Sequence, residues 1–310
     1  MKQFCKKIAF FFLITFILCF VSDGICTKLI RQSKSRAIVV WEDLFESRIN
    51  CDVIFLGSSR TCVSYNPRII DSIASVNSYN LGMHGKMSDM DIIRYRLLTK
   101  YNKKPRCVVW DLYHRSFSTS NGWLDEQFTP YLFDDDLWNE LKKDNHGYGF
   151  FDKYLPMYRY WKRPYIFKYA FEDVRGDQDP YKGFIQNEDE WNMQNVRELS
   201  TASVECGNDT TIIKAVSSTI MEMKSDDIIV ILVISPLYIE GINKLNGLHE
   251  FVNTCEQLSV DNDCLFLNFL KDPLSADSTL FSNCMHLNAK GADLFSLKLA
   301  KTLDSIFSHR

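Results

Sequence analysis

A chain of 310 residues with a formal charge of −3, 46% apolar and 24% charged, has the balance of a folded globular protein of one large or two small domains. The near-neutral charge and the lack of a long basic block exclude nucleic acid as an electrostatically recruited partner. No period of about 20 to 50 residues recurs, which argues against a repeat architecture.

The N-terminus departs from this average. Lys2, Lys6 and Lys7 precede a 14-residue apolar run over 8–21. At about 1.5 Å per residue the run spans about 21 Å, short of the roughly 30 Å of a bilayer core, and so has the length of a signal-peptide segment. Ser22 and Gly24 are small residues spaced for cleavage near Gly24. Ile25, however, can carry a membrane span past Asp23 at some cost. Lys28, Arg31, Lys34 and Arg36 follow, so flanking charge does not fix orientation. Residues 1–36 are therefore read either as a retained membrane anchor or as a cleaved signal. Either way the remainder, 37–310, lies outside the cytoplasm.

Five strand-like runs follow in order: "DVIFL" at 52–56, "VNSYNL" at 76–81, "RCVVWDL" at 106–112, "DIIVILVIS" at 227–235 and "CLFLNFL" at 264–270. Several are continuously apolar, as in a sheet covered on both faces. Helical patterns lie between them. Asn66-Pro67 opens one, and "MSDMDIIRYRLLTKY" places Met90, Ile93, Leu97 and Leu98 on one stripe. Alternating strand and helix predicts a three-layer α/β/α domain with a five-stranded, mainly parallel, flavodoxin-like sheet. The rhythm breaks over about 116–200, between strands three and four. This insertion is dense in aromatics, and one so long is commonly a lid or binding element. Tyr158, Tyr160, Trp161 and Tyr165 there read either as platforms for sugar rings or, by the default for aromatic stripes, as the insertion's own core. Asp134–Asp136 lacks the spacing of a calcium loop and reads as a solvated or helix-capping run.

Ten cysteines are present, without a CxxC pair or a Cys/His cluster of zinc spacing, so no metal or other cofactor is implied. Cys51, Cys107 and Cys264 border strands and read as small buried hydrophobes. Pairing among Cys206, Cys255 and Cys284 is left open.

Chemistry is suggested by two distant stretches. The first strand ends on Gly57-Ser58-Ser59, at the carboxyl edge where ligands gather in parallel sheets. Near the C-terminus, "SNCMHLNAKGADLF" sets His286 between a short loop and a helix. A doubly wound sheet brings both to one edge, where a histidine can take a serine proton and make the oxygen nucleophilic. Taken alone, Gly-Ser-Ser is equally a plain turn, and His286 equally a helix-start residue.

"FLGSSR", "NLGMHG" and "HLNAKGADLFS" together resemble the SGNH/GDSL hydrolase superfamily, most of all its exported or membrane-anchored bacterial branch acting on cell-envelope acyl groups. The resemblance covers 52–112 and 227–307 and leaves the insertion unexplained. It implies Ser59 as nucleophile, with Ser58 in place of the usual aspartate, and His286 as base. It also implies an oxyanion hole formed by the N–H groups of Ser59 and Gly85. Two departures stand out. The third block's asparagine is missing from "WDLYHRSF", where Tyr113 or His114 occupies the region. The usual Asp-x-x-His reads Asn283-Cys284-Met285-His286, so the third member is Asn283, which can orient a ring but carries no charge. Asp277 is a steric substitute for that charge. Ser58, Arg60, Asp111, Tyr113 and His114 are further candidates to line the cleft, although Arg60 and Asp111 have structural readings as well.

The implied function is that of an extracytoplasmic serine esterase or O-acyltransferase working on small acyl esters, acetyl first, of an envelope glycan or related polymer. Its partners are the acylated carbohydrate or other ester and, through the N-terminal segment, the membrane. The alternative is a catalytically degenerate scaffold of the same fold that binds glycan or protein.

Overall fold

The computed structural model describes residues 1–143, 146–171, 180–191 and 203–308. Residues 144–145, 172–179 and 192–200 of the predicted insertion lie outside the described residues. The chain divides into two compact units, one of Met1–Glu42 with Asn121–Gly176, the other of Asp43–Ser120 with Asp177–Arg310.

The second unit holds a five-stranded sheet: β1 (Val53–Leu56), β2 (Ser78–Asn80), β3 (Cys107–Asp111), β4 (Ile229–Ile234) and β5 (Leu265–Asn268), in the order β2-β1-β3-β4-β5. Every neighbouring pair is parallel, with Val53 opposite both Ser78 and Cys107, Cys107 opposite Ile229, and Ile231 opposite Leu265. The order reverses at β1, the switch point at which doubly wound sheets open a crevice. Because side chains alternate along a strand, Val53, Phe55, Cys107, Val109, Ile231 and Val233 share one face. They pack on Ile70 of the helix Pro67–Ala74 and on Phe295, Leu299 and Leu303 of the helix Ala289–Ser308. On the other face Trp110 Nε1 donates to Asp91, 3.1 Å away in the helix Ser88–Tyr101, which packs beside Thr210–Ser225. Three layers result, as the strand–helix alternation predicts.

Burial on both faces holds for β1, β2 and β3, and nearly throughout β4, but fails at β5. That strand is paired on one side only, and Leu265 is 42% exposed. The stripe predicted on Ser88–Tyr101 is also incomplete, since Asp91 and Arg94 are buried beside Met90, Leu97 and Leu98. Asn66 caps Pro67–Ala74 by accepting from Arg68 N at 3.0 Å. All ten cysteines are free, and Cys264 is only partly buried.

The first unit begins with the helix Lys2–Arg31, long and apolar enough to cross a membrane, with a mean hydropathy of 2.4 over its best window and none of that window buried. Arg31 pairs with Glu42 at 2.6 Å and lies over the rings of Tyr131 and Phe133. Trp41 donates to Gln127 at 3.2 Å and meets Phe128 edge to face. Asp134 caps Asp135–Leu141 through Asp136 N and Leu137 N, both at 2.9 Å. The acidic run is thus a helix cap. The expectation that the insertion's rings form its core holds for Tyr160 and fails for Trp161 and Tyr165, which are 77% and 79% exposed.

Candidate active site

The site assembles in the second unit, at the carboxyl ends of β1, β2 and β3. Gly57 leaves β1 at φ +141°, where a Cβ would strike Thr61 Oγ1 and come within 2.7 Å of the Asp111 carbonyl oxygen. Only glycine makes this turn. Ser58 then caps the short helix Ser59–Ser64, its hydroxyl facing Arg60 N at 3.4 Å. Ser58 and Arg60 are buried, whereas Ser59 between them is partly exposed. The turn and cap thus present one hydroxyl to solvent. They also put the Ser59 amide in a first helical turn, where no intrahelical acceptor exists.

The loop after β2 lies against this turn. Leu81 N donates to Phe55 O and Met83 N to Gly57 O, both at 2.8 Å. A Cβ on Gly82 would sit 2.7 Å from Cys62 N and 2.8 Å from Ser58 O, so glycine is required for the approach. Two residues to which the sequence assigned no role fix the loop. Asn80 donates to the carbonyls of Thr61 and Tyr65 at 2.7 and 3.0 Å and accepts from Gly82 N at 3.1 Å. Arg94, buried in its helix, donates to the carbonyls of Leu81 and Gly82 at 2.7 and 2.9 Å. Gly85 follows with φ +67°.

Below the serine lies a buried polar bracket. Asp111 accepts from Ser235 N and Ser235 Oγ, each at 3.0 Å, and from Thr61 Oγ1 at 3.2 Å. Arg60 Nη2 donates to Ser235 Oγ at 2.8 Å and to Pro236 O at 3.2 Å. Arg60 therefore ties the helix Ser59–Ser64 to the end of β4 through serine and backbone oxygens. Burial pushes the Asp111 carboxyl up, opposed by the Arg60 charge, and pushes Arg60 down, opposed by Asp111. Beyond β3, Tyr113 donates to Lys86 O at 3.2 Å, which braces the segment after Gly85. His114 is buried, and its ring is pushed down to about 3, first by burial and then by the charges of Arg60 and Arg115.

The other half comes from the antiparallel hairpin Phe281–Asn283 and His286–Leu287. His286 Nε2 lies 2.8 Å from Ser59 Oγ, so residues 227 apart in sequence meet. Asn283 Oδ1 accepts from Met285 N at 2.9 Å and His286 N at 3.0 Å, and lies 3.1 Å from His286 Nδ1. Two backbone donors identify that atom of Asn283 as the amide carbonyl oxygen. His286 Nδ1 must then carry the proton, which leaves a lone pair on Nε2 directed at the serine. Asn283 fixes this tautomer without supplying charge. Burial, then the Arg60 charge and His84, push the ring down to about 4, which keeps it neutral at physiological pH. The atom facing His286 Nδ1 is Asn283 Oδ1, while Asp277 Oδ1 accepts from Thr279 N at 2.9 Å and Thr279 Oγ1 at 2.6 Å in its own turn. Asn187 secures the hairpin through Ser282 Oγ at 2.8 Å and Leu287 O at 3.1 Å. A concavity of about 850 Å³ lined by Leu248, Val252, Leu270 and Pro273 contains neither Ser59 nor His286.

No family model and no curated protein matches this sequence. Among solved structures, the chain is similar to a family two carbohydrate esterase from Clostridium thermocellum in complex with cellohexaose, with 13% identity and a TM-score of 0.43 over 83% of this chain and 64% of that one. It is also similar to a GDSL-like lipase from Bacteroides thetaiotaomicron, with 11% identity and a TM-score of 0.40 over 82% and 88%. An acetyl xylan esterase gives 16% identity and a TM-score of 0.40 over 82% and 98%. At such identities and scores the likeness carries no argument about activity, which must rest on the geometry of the site.

Proposed function

We propose that this protein is an extracytoplasmic, membrane-anchored serine esterase or O-acyltransferase of the SGNH type, acting on small acyl esters, acetyl first, of an envelope glycan or related polymer. The observation that carries the reading is the relay Ser59 Oγ–His286 Nε2 at 2.8 Å, backed by Asn283 Oδ1 at 3.1 Å from Nδ1. The choice of acyl group and polymer rests on the sequence motifs.

In this reading Ser59 Oγ gives its proton to His286 Nε2 and attacks the ester carbonyl. The tetrahedral oxyanion is held by the amides of Ser59 and Gly85. Collapse breaks the C–O bond of the ester, and the leaving alkoxide takes the proton back from Nε2. Water, or a sugar hydroxyl, then loses a proton to Nε2 and attacks the acyl-serine; the acyl–Oγ bond breaks and Ser59 Oγ takes that proton back from Nε2. Asn283 holds the ring throughout as a positioning residue. The neutral amide stabilises the imidazolium less than a carboxylate would, so this chemistry is slower than that of a full triad.

The same Asn283 favours a second reading, a degenerate scaffold that binds glycan or protein without turnover. Initial rates with 4-nitrophenyl acetate and with an O-acetylated polysaccharide separate the two. The enzyme reading expects turnover in the wild type and its loss in Ser59→Ala. Equal rates in both proteins, or none in either, contradict it.

A further inference from the structure

The segment 146–171 is two-faced. It folds as the short helices Phe150–Tyr154, Tyr158–Lys162 and Phe167–Phe171, with a turn at Pro164–Ile166. Tyr148, Tyr160, Ile166 and Tyr169 point inward and are buried. Phe150, Phe151, Tyr154, Leu155, Trp161 and Tyr165 point outward, each between 43% and 79% exposed. Phe150, Phe151, Tyr154 and Trp161 are contiguous through the partly exposed Tyr158. Phe150 meets Tyr154 at 4.7 Å and Phe151 at 5.8 Å, Phe151 meets Tyr158 at 5.7 Å, and Tyr158 meets Trp161 at 6.0 Å between centroids. A soluble surface rarely leaves so many large rings side by side without a partner.

The position of these rings identifies the partner. The residues between them are bonded to the N-terminal helix where its apolar run ends. Asp23 accepts from Met157 N at 2.9 Å and pairs with Arg159. Thr27, one turn further on, shares a 2.6 Å hydrogen bond with Tyr160 OH. On the other side of Asp23, Phe16, Ile17, Phe20 and Val21 are exposed along the helix. The exposed aromatic face is thus joined to the helix at the level where a spanning segment leaves the hydrocarbon. There tryptophan and tyrosine place an apolar body in lipid and a polar tip among headgroups. The basic side chains among these rings are already paired, Lys153 with Asp135, Arg159 with Asp23, Lys162 and Arg163 with Asp152, and Lys168 with Glu126, so it is the place of the rings beside the apolar helix that selects the bilayer interface.

We infer that the outward face of 150–165 is a collar seated in the bilayer interface, and that the N-terminal helix is a working part of the folded unit, holding the collar through Asp23 and Thr27. The inference goes beyond the esterase reading and does not use Ser59.

The test uses the full chain in vesicles of phosphatidylcholine with a quarter phosphatidylglycerol. Trp161 emission is taken as the difference between wild type and Trp161→Phe, a substitution at an exposed position that leaves the buried rings untouched. The collar expects this emission to fall about twofold or more with acyl-brominated lipid, and to be shielded from aqueous iodide. Quenching by iodide but not by brominated lipid would overturn it. Protection from both would also overturn it, since a second copy or a bound polymer would then cover the face.

Discussion

The two units differ in how many large aromatic side chains they leave open. In the α/β unit Phe55, Tyr65, Tyr95, Trp110, Phe117 and Phe295 are all fully buried. In the unit built on the N-terminal helix, Phe150, Phe151, Tyr154, Trp161 and Tyr165 are each more than half exposed. Residue type does not account for this. The sheet offers two broad apolar faces on which helices close, so its rings have protein to pack against. Helices of five residues cannot enclose all of their rings: Tyr160 and Tyr169 are buried, while Phe150, Phe151, Tyr154 and Trp161 stay open. The first unit exposes apolar surface, while the second exposes one hydroxyl and buries the groups that hold it.

The largest effect that sharpens this contrast is at the exposed hydroxyl. Ser59→Ala should lower kcat by about 10⁴-fold or more with thermal stability unchanged, as read by steady-state rates and a melting curve. A collapse of stability together with activity would make Ser59 a packing residue like its neighbours. Next comes Asn283→Asp. The tautomer is already correct, so a carboxylate adds only charge. It should raise kcat near neutral pH by about 10- to 100-fold, less than the ~10⁴ by which the reverse change disabled a serine protease in the wrong tautomer. It also moves the acid limb. In the wild type His286 titrates near 4, so kcat/KM should stay level from neutral pH down to about 5 and fall only below that. In the Asn283→Asp variant the added carboxylate favours the imidazolium, and the fall begins at higher pH.

In the first unit, Asp23→Ala removes the acceptor of Met157 N and the partner of Arg159. It should cost about 1–3 kcal/mol locally, seen as faster proteolysis within 146–171, with esterase rates in the second unit unchanged. A further effect, on stability alone, is in the α/β core. Burial pushes the Asp91 carboxyl up to about 8, against the Trp110 hydrogen bond. Between roughly pH 4 and 8 the native state then holds a proton that the unfolded chain has released, so stability falls as pH rises through that window. Asp91→Asn should flatten the dependence, measured as Tm at pH 5 and pH 7.5.

The fold was largely legible because its signals are local. Continuous apolar runs marked β1, β3 and β4, and Asn66-Pro67 marked a helix start. The serine and histidine were legible as types at strand and helix ends. What held them was not. Arg94 interrupts a helical stripe and reads as a surface residue until the carbonyls of Leu81 and Gly82 are seen in front of it. Asn80 lies inside a strand run, and its bonds to Thr61 and Tyr65 depend on how a separate helix ends. The role of Asn283 turns on two backbone N–H groups that identify its oxygen, which no spacing reveals. Trp161 and Tyr165 depart from the default of a packed core for another reason: a ring pattern is the same whether or not protein covers it.

The central claim is that the Ser59 hydroxyl, activated by His286, attacks an acyl carbon. Incubating wild type, Ser59→Ala and His286→Gln with a fluorophosphonate and mapping the adduct by peptide mass tests it most directly. The account predicts a single phosphonylated peptide carrying Ser59 in the wild type, none in Ser59→Ala and greatly slowed labelling in His286→Gln. Labelling of Ser59→Ala at the wild-type rate, or an unmodified Ser59 in a wild-type protein that turns over ester, would contradict it.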